Sequence, residues 1–202
     1  MNIDELILEV PGVFYLSFEK PHEVTKGEYS PIFINIKHTL SNPEIREELS
    51  GRLVGLIGDV FDHICGIESG GSYYASSVAD LLNKPLSFMR KENKLYGDRD
   101  SIVGAKPAPG AKVAILDDVF ATGTTALRAT KYFRRIKCKP SVFVIFSYGH
   151  ENEIGKKLGA PVSSLTNFEN VCAMAHERKL INSAEFDRLR EHVLTYKDVV
   201  KP

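Results

Sequence analysis

The chain has 202 residues, of which 43% are hydrophobic and 26% are charged, and its formal net charge is +0. This composition is that of one globular domain with a sizeable core, and the neutral balance predicts neither a nucleic-acid nor a membrane partner. The three cysteines, Cys65, Cys138 and Cys172, are widely spaced and favour buried thiols over disulfides or a zinc site. The N-terminus has no basic leader, and no apolar run reaches membrane-spanning length. We therefore expect a cytoplasmic protein.

The first half of the chain is predicted to alternate strands with helices. Periodicity and turn residues indicate a helix at 3–9, strands at 14–18 and 30–36, a helix at 43–58, a strand at 63–67, a helix at 73–82 and a strand at 86–89. The segment 19–29 is polar, and 68–72 is interpreted as a turn. Residues 90–109 form a long charged segment without helical period, and that length is typical of a functional lid.

The second half continues the alternation. The pattern predicts a strand at 113–116, a helix at 124–135, a strand at 141–146, a helix at 151–158, a strand at 162–165 and closing helices at 168–178 and 183–192. Strands alternating with helices imply right-handed βαβ units, and therefore an α/β fold with a parallel sheet. Because ligands bind at the carboxyl ends of such strands, the turns at 68–72, from 90 onward and at 117–125 are expected to share one edge.

The stretch after the strand at 113–116 carries the most specific chemistry. Asp117 and Asp118 follow this strand, and a turn of three threonines and one glycine at 122–125 then opens a helix. The free N–H groups and the dipole of that helix favour an anion such as phosphate. The two carboxylates would repel a phosphate, and they suit sugar hydroxyls or a divalent metal instead. The glycine fingerprint of dinucleotide sites and the Walker lysine are both absent, and a Rossmann-like turn with incidental acids is the alternative.

This combination resembles the type I phosphoribosyltransferase motif, which binds 5-phosphoribosyl 1-diphosphate (PRPP). The resemblance implies that Asp117 and Asp118 hold the ribose hydroxyls, and that the 5-phosphate is held by Thr122, Gly123, Thr124 and Thr125. It also implies a parallel-sheet type I phosphoribosyltransferase fold with a small N-terminal hood subdomain. The chain would then be a single domain over 1–202, with the hood at about 1–40 and the core at about 41–202.

Two glycines, Gly70 and Gly71, follow the strand predicted at 63–67. Paired glycines permit backbone conformations in which several N–H groups converge on an anion. In the family that this chain resembles, the corresponding loop contacts the diphosphate of PRPP. A tight structural turn is the alternative interpretation.

The basic segment after the strand at 86–89 resembles the Arg-Lys-x-x-Lys-x-His-Gly loop of orotate phosphoribosyltransferases. Arg90, Lys91, Lys94 and Gly97 match, and Tyr96 stands where the family usually has histidine. A tyrosine can hydrogen-bond a diphosphate oxygen but is uncharged at neutral pH. The resemblance implies a homodimer in which this mobile loop reaches the partner's active site. It makes Lys94 the principal catalytic group, with Arg90 and Lys91 neutralising the diphosphate; a solvated charged loop is the alternative.

The base side of the site is matched less completely. Residues 25–35 resemble the Lys-Ser-Gly-x-x-Ser-Pro-x-Phe-x-Asn segment of the same family with one residue fewer, which implies base or diphosphate contacts for Lys26 and Phe33. A core side chain is the ordinary alternative for Phe33. Ala121 stands on the base side of the implied site, where the family has a serine or threonine whose hydroxyl contacts the base. No arginine stands at the strand end near Phe146, where other branches bind the carboxylate of orotate.

The reaction implied by the resemblance is transfer of the 5-phosphoribosyl group from PRPP to orotate, giving orotidine 5-monophosphate and diphosphate. Mg²⁺ would be carried by the diphosphate rather than by protein ligands, and the implied catalytic residues are Lys94, Asp117 and Asp118. Two rivals remain open. One is a phosphoribosyltransferase for another nucleobase, which Ala121 and the missing arginine favour. The other is a non-catalytic PRPP-sensing regulator, which the intact basic loop disfavours.

Overall fold

A computed structural model describes residues 2–25, 28–90, 101–149 and 151–194. Its helices are α1 (Ile3–Glu9), α2 (Pro43–Ile57), α3 (Gly70–Leu82), α4 (Thr124–Arg135), α5 (Glu151–Leu158), α6 (Phe168–Glu177) and α7 (Ser183–Leu194). Its strands are β1 (Phe14–Leu16), β2 (His22–Thr25), β3 (Glu28–Ser30), β4 (Ile32–Ile34), β5 (His63–Ile67), β6 (Leu86–Met89), β7 (Ile102–Gly104), β8 (Lys112–Phe120), β9 (Lys139–Ser147) and β10 (Val162–Asn167). A 3-10 helix spans Ile36–Ser41.

The main sheet has the strand order β10-β9-β8-β5-β6-β7 over the described residues. From β10 to β6 all neighbouring strands are parallel, and β7 joins the far edge antiparallel to β6. The predicted α/β architecture with a parallel sheet is thus confirmed. Because β5, β6 and β8 are adjacent and parallel, their carboxyl ends open onto the same edge of the sheet.

Helices cover both faces of this sheet, so its central strands are apolar on both sides. Along β8, Ala114 and Leu116 pack in one cluster with residues of α2 and α3. Val113 and Ile115 point to the opposite face and pack in a second cluster with residues of α4 and α5. All four side chains are fully buried, as the alternation of side chains along a strand requires when both faces are covered. This packing fixes the position of the carboxyl end of β8.

The N-terminal elements lie outside the main sheet. Strand β1 pairs antiparallel with β4, and β2 pairs antiparallel with β3. Helix α1 begins with a capping box between Asn2 and Glu5, and the Arg178 guanidinium donates to the Glu5 carboxylate over 2.7 Å. The division into a hood and a core stays a prediction. Among the described residues no helix has both the length and the apolar character needed to cross a bilayer.

Several element boundaries differ from those that the sequence predicted. The segment 19–29, interpreted only as polar, contains β2 and most of β3, and these two strands pair antiparallel. The strand predicted at 30–36 is shorter, because Pro31 has no N–H and the Ile32 amide donates to the Ser30 hydroxyl over 3.2 Å. The segment 90–109 contains β7. Each of these short strands pairs with a neighbour that periodicity alone does not reveal.

Two further corrections concern the site. Helix α3 begins at Gly70 rather than at 73, so the two glycines occupy its first turn instead of a preceding loop. Strand β8 runs to Phe120 rather than ending at 116, because Asp117 pairs with Val144 and Phe120 pairs with Ser147 of β9. The acid pair therefore belongs to the strand itself.

Candidate active site

The first turn of α3 approaches the end of β8 so closely that a Cβ atom on either of its two glycines would overlap atoms of β8. A Cβ atom on Gly70 would lie 2.1 Å from Cγ and 2.2 Å from Oδ1 of Asp118. A Cβ atom on Gly71 would lie 2.1 Å from the carbonyl oxygen of Leu116 and 2.9 Å from Cα of Asp117. The two glycines therefore bring the N-terminal end of α3, where N–H groups lack partners within the helix, to the acid pair. The structure confirms that the carboxyl ends of β5 and β8 lie side by side.

The carboxylates of Asp117 and Asp118 are held by neighbouring amides. The Asp118 N–H donates to Oδ1 of Asp117 over 3.0 Å, and the Val119 N–H donates to Oδ1 of Asp118 over 3.0 Å. Both side chains are half-buried. Burial raises the pKa of Asp117 well above its usual range and the nearby Asp118 raises it further, whereas the Lys37 charge acts in the opposite direction. The pair is thus a fixed, partly desolvated set of oxygens suited to hydroxyl donors.

A threonine-rich turn connects β8 to α4. Gly123 adopts φ +72°, a left-handed conformation that favours glycine, and its carbonyl accepts from the Leu127 N–H over 2.7 Å. The hydroxyls of Thr122 and Thr124 hydrogen-bond each other over 3.0 Å. Helix α4 begins at Thr124, so the N–H groups of its first turn have no partner within the helix and face the end of β8. This geometry favours an anion of phosphate size.

The end of β6 adds a basic residue to the same edge. Arg90 follows Met89, and its backbone N–H donates to the carbonyl of Ser101 over 2.9 Å. The Glu68 N–H at the end of β5 donates to the Met89 carbonyl over 2.9 Å and links the two strand ends. The other basic-loop residues predicted for the site, Lys91, Lys94 and Tyr96, lie outside the described residues, as does Lys26.

The two remaining base-side candidates lie in different parts of the fold. Ala121 directly follows β8, is half-buried and packs against the core cluster that contains Leu116. Phe33 lies on the face of β4 opposite to the buried Ile32 and Ile34. Its ring stacks on that of His22, with the centroids 4.0 Å apart. Phe33 is therefore not a core side chain, and its described ring contact is within the N-terminal elements.

Three residues near the acid pair were not predicted from the sequence. The hydroxyls of Thr39 and Tyr74 hydrogen-bond each other and connect the 3-10 helix to α3. Tyr74 is 1% exposed, and burial raises its pKa to about 12, with a further contribution from the charge of Asp118. Lys37 lies on the same 3-10 helix. The spacing of Tyr74 four residues after Gly70 places both on one face of α3 and was an available signal.

Metal ligands are sparse at this edge. In residues 2–25, 28–90, 101–149 and 151–194, no group of three or more His, Cys, Asp or Glu side chains is arranged to hold a metal ion. The acid pair supplies two carboxylates at this edge, and oxygen is the donor that hard cations such as Mg²⁺ prefer.

Comparison with known proteins identifies related sequences over most of the chain. The model of the phosphoribosyl transferase domain family matches residues 37–177. An orotate phosphoribosyltransferase of Bacillus cytotoxicus is 31% identical over 193 residues, which cover 92% of this chain and 90% of that protein. An orotate phosphoribosyltransferase of Bacillus subtilis is 30% identical over 190 residues, covering 91% of this chain and 87% of that protein.

Solved structures share the fold. Orotate phosphoribosyltransferase from Aeropyrum pernix superposes with a TM-score of 0.75 at 19% identity, covering 89% of this chain and 99% of that one. The UMP synthase of Leishmania donovani superposes with a TM-score of 0.78 at 20% identity over 96% of this chain. This chain spans 42% of the length of that synthase. At such low identity these likenesses confirm the fold alone.

Proposed function

This chain belongs to the orotate phosphoribosyltransferase family, and we propose that the edge of the sheet formed by the ends of β5, β6 and β8 is where its reaction takes place. The chain is accordingly a pentosyltransferase of pyrimidine biosynthesis that transfers the 5-phosphoribosyl group of PRPP to orotate. The observation that carries the location is the contact of the glycine turn of α3 with Asp118. This contact brings the start of α3 to the acid pair, and the turn that opens α4 follows the acid pair in the chain, which supports one shared site.

In the proposed site the acid pair binds the ribose, and the turn after it binds the 5-phosphate. Asp117 and Asp118 accept hydrogen bonds from the ribose hydroxyls, since each carboxylate is already oriented by a backbone N–H. The 5-phosphate sits at the start of α4, where Thr122, Thr124 and Thr125 supply hydroxyls and Gly123 supplies the bend. Two points of attachment fix the sugar ring and leave C1 as the reacting atom.

The diphosphate leaving group is proposed to bind at the start of α3. Bond breaking at C1 makes the sugar cation-like and leaves a strongly anionic diphosphate, so catalysis consists chiefly of neutralising that charge and aligning the reactants. The N–H groups near Gly70 and Gly71 and the guanidinium of Arg90 are the described groups suited to that task. Lys91, Lys94 and Tyr96 complete it in this proposal, with Lys94 as the principal catalytic group. Closure of their loop would exclude water.

Mg²⁺ is the proposed cofactor. It would neutralise diphosphate oxygens and orient them for departure. The described residues offer oxygen donors but no cluster of three ligating side chains, so the ion would be held mainly by the diphosphate, with the carboxylates of Asp117 and Asp118 as the protein groups within its surroundings. Lys26, Phe33 and Ala121 are proposed to border the acceptor base.

A homodimer with the basic loop acting in the partner's site is also proposed. Mixing subunits that carry Lys94→Ala with subunits that carry Asp118→Asn would produce some active sites with neither change. Activity that recovers on mixing, above that of either variant alone, supports a shared site. Activity that stays at the level of the two separate variants contradicts it.

The decisive experiment is an assay of the purified protein with PRPP, Mg²⁺ and a panel of nucleobases. Orotate should be consumed with release of one diphosphate per turnover. The Asp118→Asn variant should lose most of this activity, whereas Asp80→Asn, a change of an exposed acid at the far end of α3, should not. Turnover of a different base in preference to orotate would overturn the acceptor, and equal activity of the two variants would overturn the site.

A further inference from the structure

The 3-10 helix between β4 and α2 places a cation beside the acid pair. Ile36 and Thr39 stand three residues apart, on one side of this helix, and both are fully buried. Lys37 is exposed, so its side chain leaves the opposite side of the helix. The 3-10 helix packs against β8, and the Lys37 charge is within electrostatic range of the Asp117 carboxylate, whose pKa it lowers. In the described part of the chain, no hydrogen bond or ion pair holds the Lys37 ammonium group.

Rigid contacts fix the position of this helix. It packs against β8, and the hydroxyl of Thr39 is hydrogen-bonded to the fully buried Tyr74 of α3. The charge of Asp118 raises the pKa of Tyr74, so the Tyr74 hydroxyl is within electrostatic range of the acid pair. The 3-10 helix therefore has a defined distance from the acid pair, and Lys37 is presented from a fixed backbone rather than from a loop tip.

The proposed reaction favours a cation near the acid pair. Orotate carries a carboxylate on the carbon next to its reacting nitrogen, and that nitrogen must come within bonding distance of C1. The ribose that bears C1 is held by two carboxylates in the proposed site. An anionic acceptor must therefore bind close to two negative charges, which repel it unless a positive charge lies between them. The helix ends at Gly70 and Thr124 are already assigned to diphosphate and phosphate.

We infer that Lys37 binds the carboxylate of the acceptor base and makes the site selective for an anionic pyrimidine. This inference rests on the proposed function and adds a residue that determines specificity. The ammonium group forms a charge-assisted hydrogen bond with the acceptor carboxylate and separates it from Asp117. It also favours the ionised form of Asp117 before the acceptor arrives.

The test compares two nucleotides that differ only by this carboxylate, orotidine 5-monophosphate and uridine 5-monophosphate. Their dissociation constants are measured by calorimetry for the unaltered protein and for Lys37→Met and Lys37→Arg. The unaltered protein should prefer orotidine 5-monophosphate by at least about tenfold, the scale of one charge-assisted contact. Lys37→Met should lose most of this preference with little change in the affinity for uridine 5-monophosphate. Lys37→Arg should retain it.

The matched control is Lys139→Met, which removes an exposed lysine at the opposite edge of the sheet and should leave the preference unchanged. If Lys37→Met weakens both nucleotides equally, the lysine acts only through Asp117 or through the fold, and the inference is overturned. A preference that survives in Lys37→Met, or that is missing from the unaltered protein, also overturns it. Failure of the unaltered protein to bind either nucleotide would instead refute the proposed function.

Discussion

Substituting Gly70 by alanine tests the contact on which the proposed site depends. The added Cβ would lie 2.1, 2.2 and 2.3 Å from the three carboxyl atoms of Asp118, whereas ordinary contacts to a Cβ lie at 3.4–4 Å. The carboxylate must therefore move by about 1 Å, a misplacement that can lower catalytic efficiency by about a hundredfold. We expect kcat/KM for PRPP to fall by about that factor in steady-state assays. Because a side chain gives way, the loss of stability should stay below about 2 kcal/mol.

Alanine substitutions at two other glycines distinguish the effect on Asp118 from a general effect on the stability of the fold. Gly55 lies in α2 with nothing within 4 Å of its added Cβ, so Gly55→Ala should keep full activity and raise the free energy of unfolding by up to about 1 kcal/mol. Gly71→Ala meets the backbone of β8, which cannot rotate away, and should unfold at lower urea concentration than Gly70→Ala. An unchanged KM and kcat for PRPP in Gly70→Ala would refute the assignment of Asp118 to the ribose.

Three other measurements follow from the buried polar groups. The pKa of Asp117 is raised above its ordinary 3.8, so the folded state binds more protons than the unfolded state, and the free energy of unfolding falls as pH rises from that value through the raised pKa. Asp117→Asn should therefore stabilise the fold against urea more at about pH 7 than at about pH 4. An equal gain at both pH values would contradict the shift. Tyr74→Phe should lower the free energy of unfolding by about 1 kcal/mol in the same assay, because the hydrogen bond to Thr39 is lost. An unchanged free energy of unfolding would show that this hydrogen bond does not stabilise the fold. Burial raises the pKa of Cys65 and Cys172 to about 12, so both should react with a thiol reagent only after unfolding, and rapid labelling of the native protein would be inconsistent with their burial.

Much of the fold was predictable because its elements are long and regular. The apolar run of β8 and the helical period of α4 are local signals, and each is read from adjacent residues. The β2–β3 hairpin and β7 were missed because short strands are stabilised by their partners rather than by their own pattern. The end of β8 was misplaced for a related reason. Two aspartates are poor strand formers, and the strand continues past them because Asp117, Val119 and Phe120 pair with β9.

The residue types of the proposed site are visible in the sequence, but their contacts are not. Asp118 and the turn at Gly123 carry a motif that is contiguous in sequence. The closeness of Gly70 to Asp118 joins two segments that are almost fifty positions apart and depends on how α3 packs. Lys37 lies still further from the acid pair in sequence and has no motif of its own. Contacts of this kind follow from tertiary packing, and a single sequence holds no local record of them.

The position of the acid pair inside the strand explains why its two carboxylates repel each other before substrate binds. A carboxylate such as Asp117 is destabilising when it is ionised in a partly buried place beside another carboxylate. A loop would have left it solvated and mobile. The strand instead fixes its oxygens, so ribose hydroxyls can replace water without further reorganisation. If the sugar binds here as proposed, its hydroxyls should relieve part of the repulsion that folding creates, because they add hydrogen bonds to those that the Asp118 and Val119 amides already donate. The same argument accounts for Lys37, since a cation at this position lowers the energy of the ionised pair while the site is still open to the acceptor.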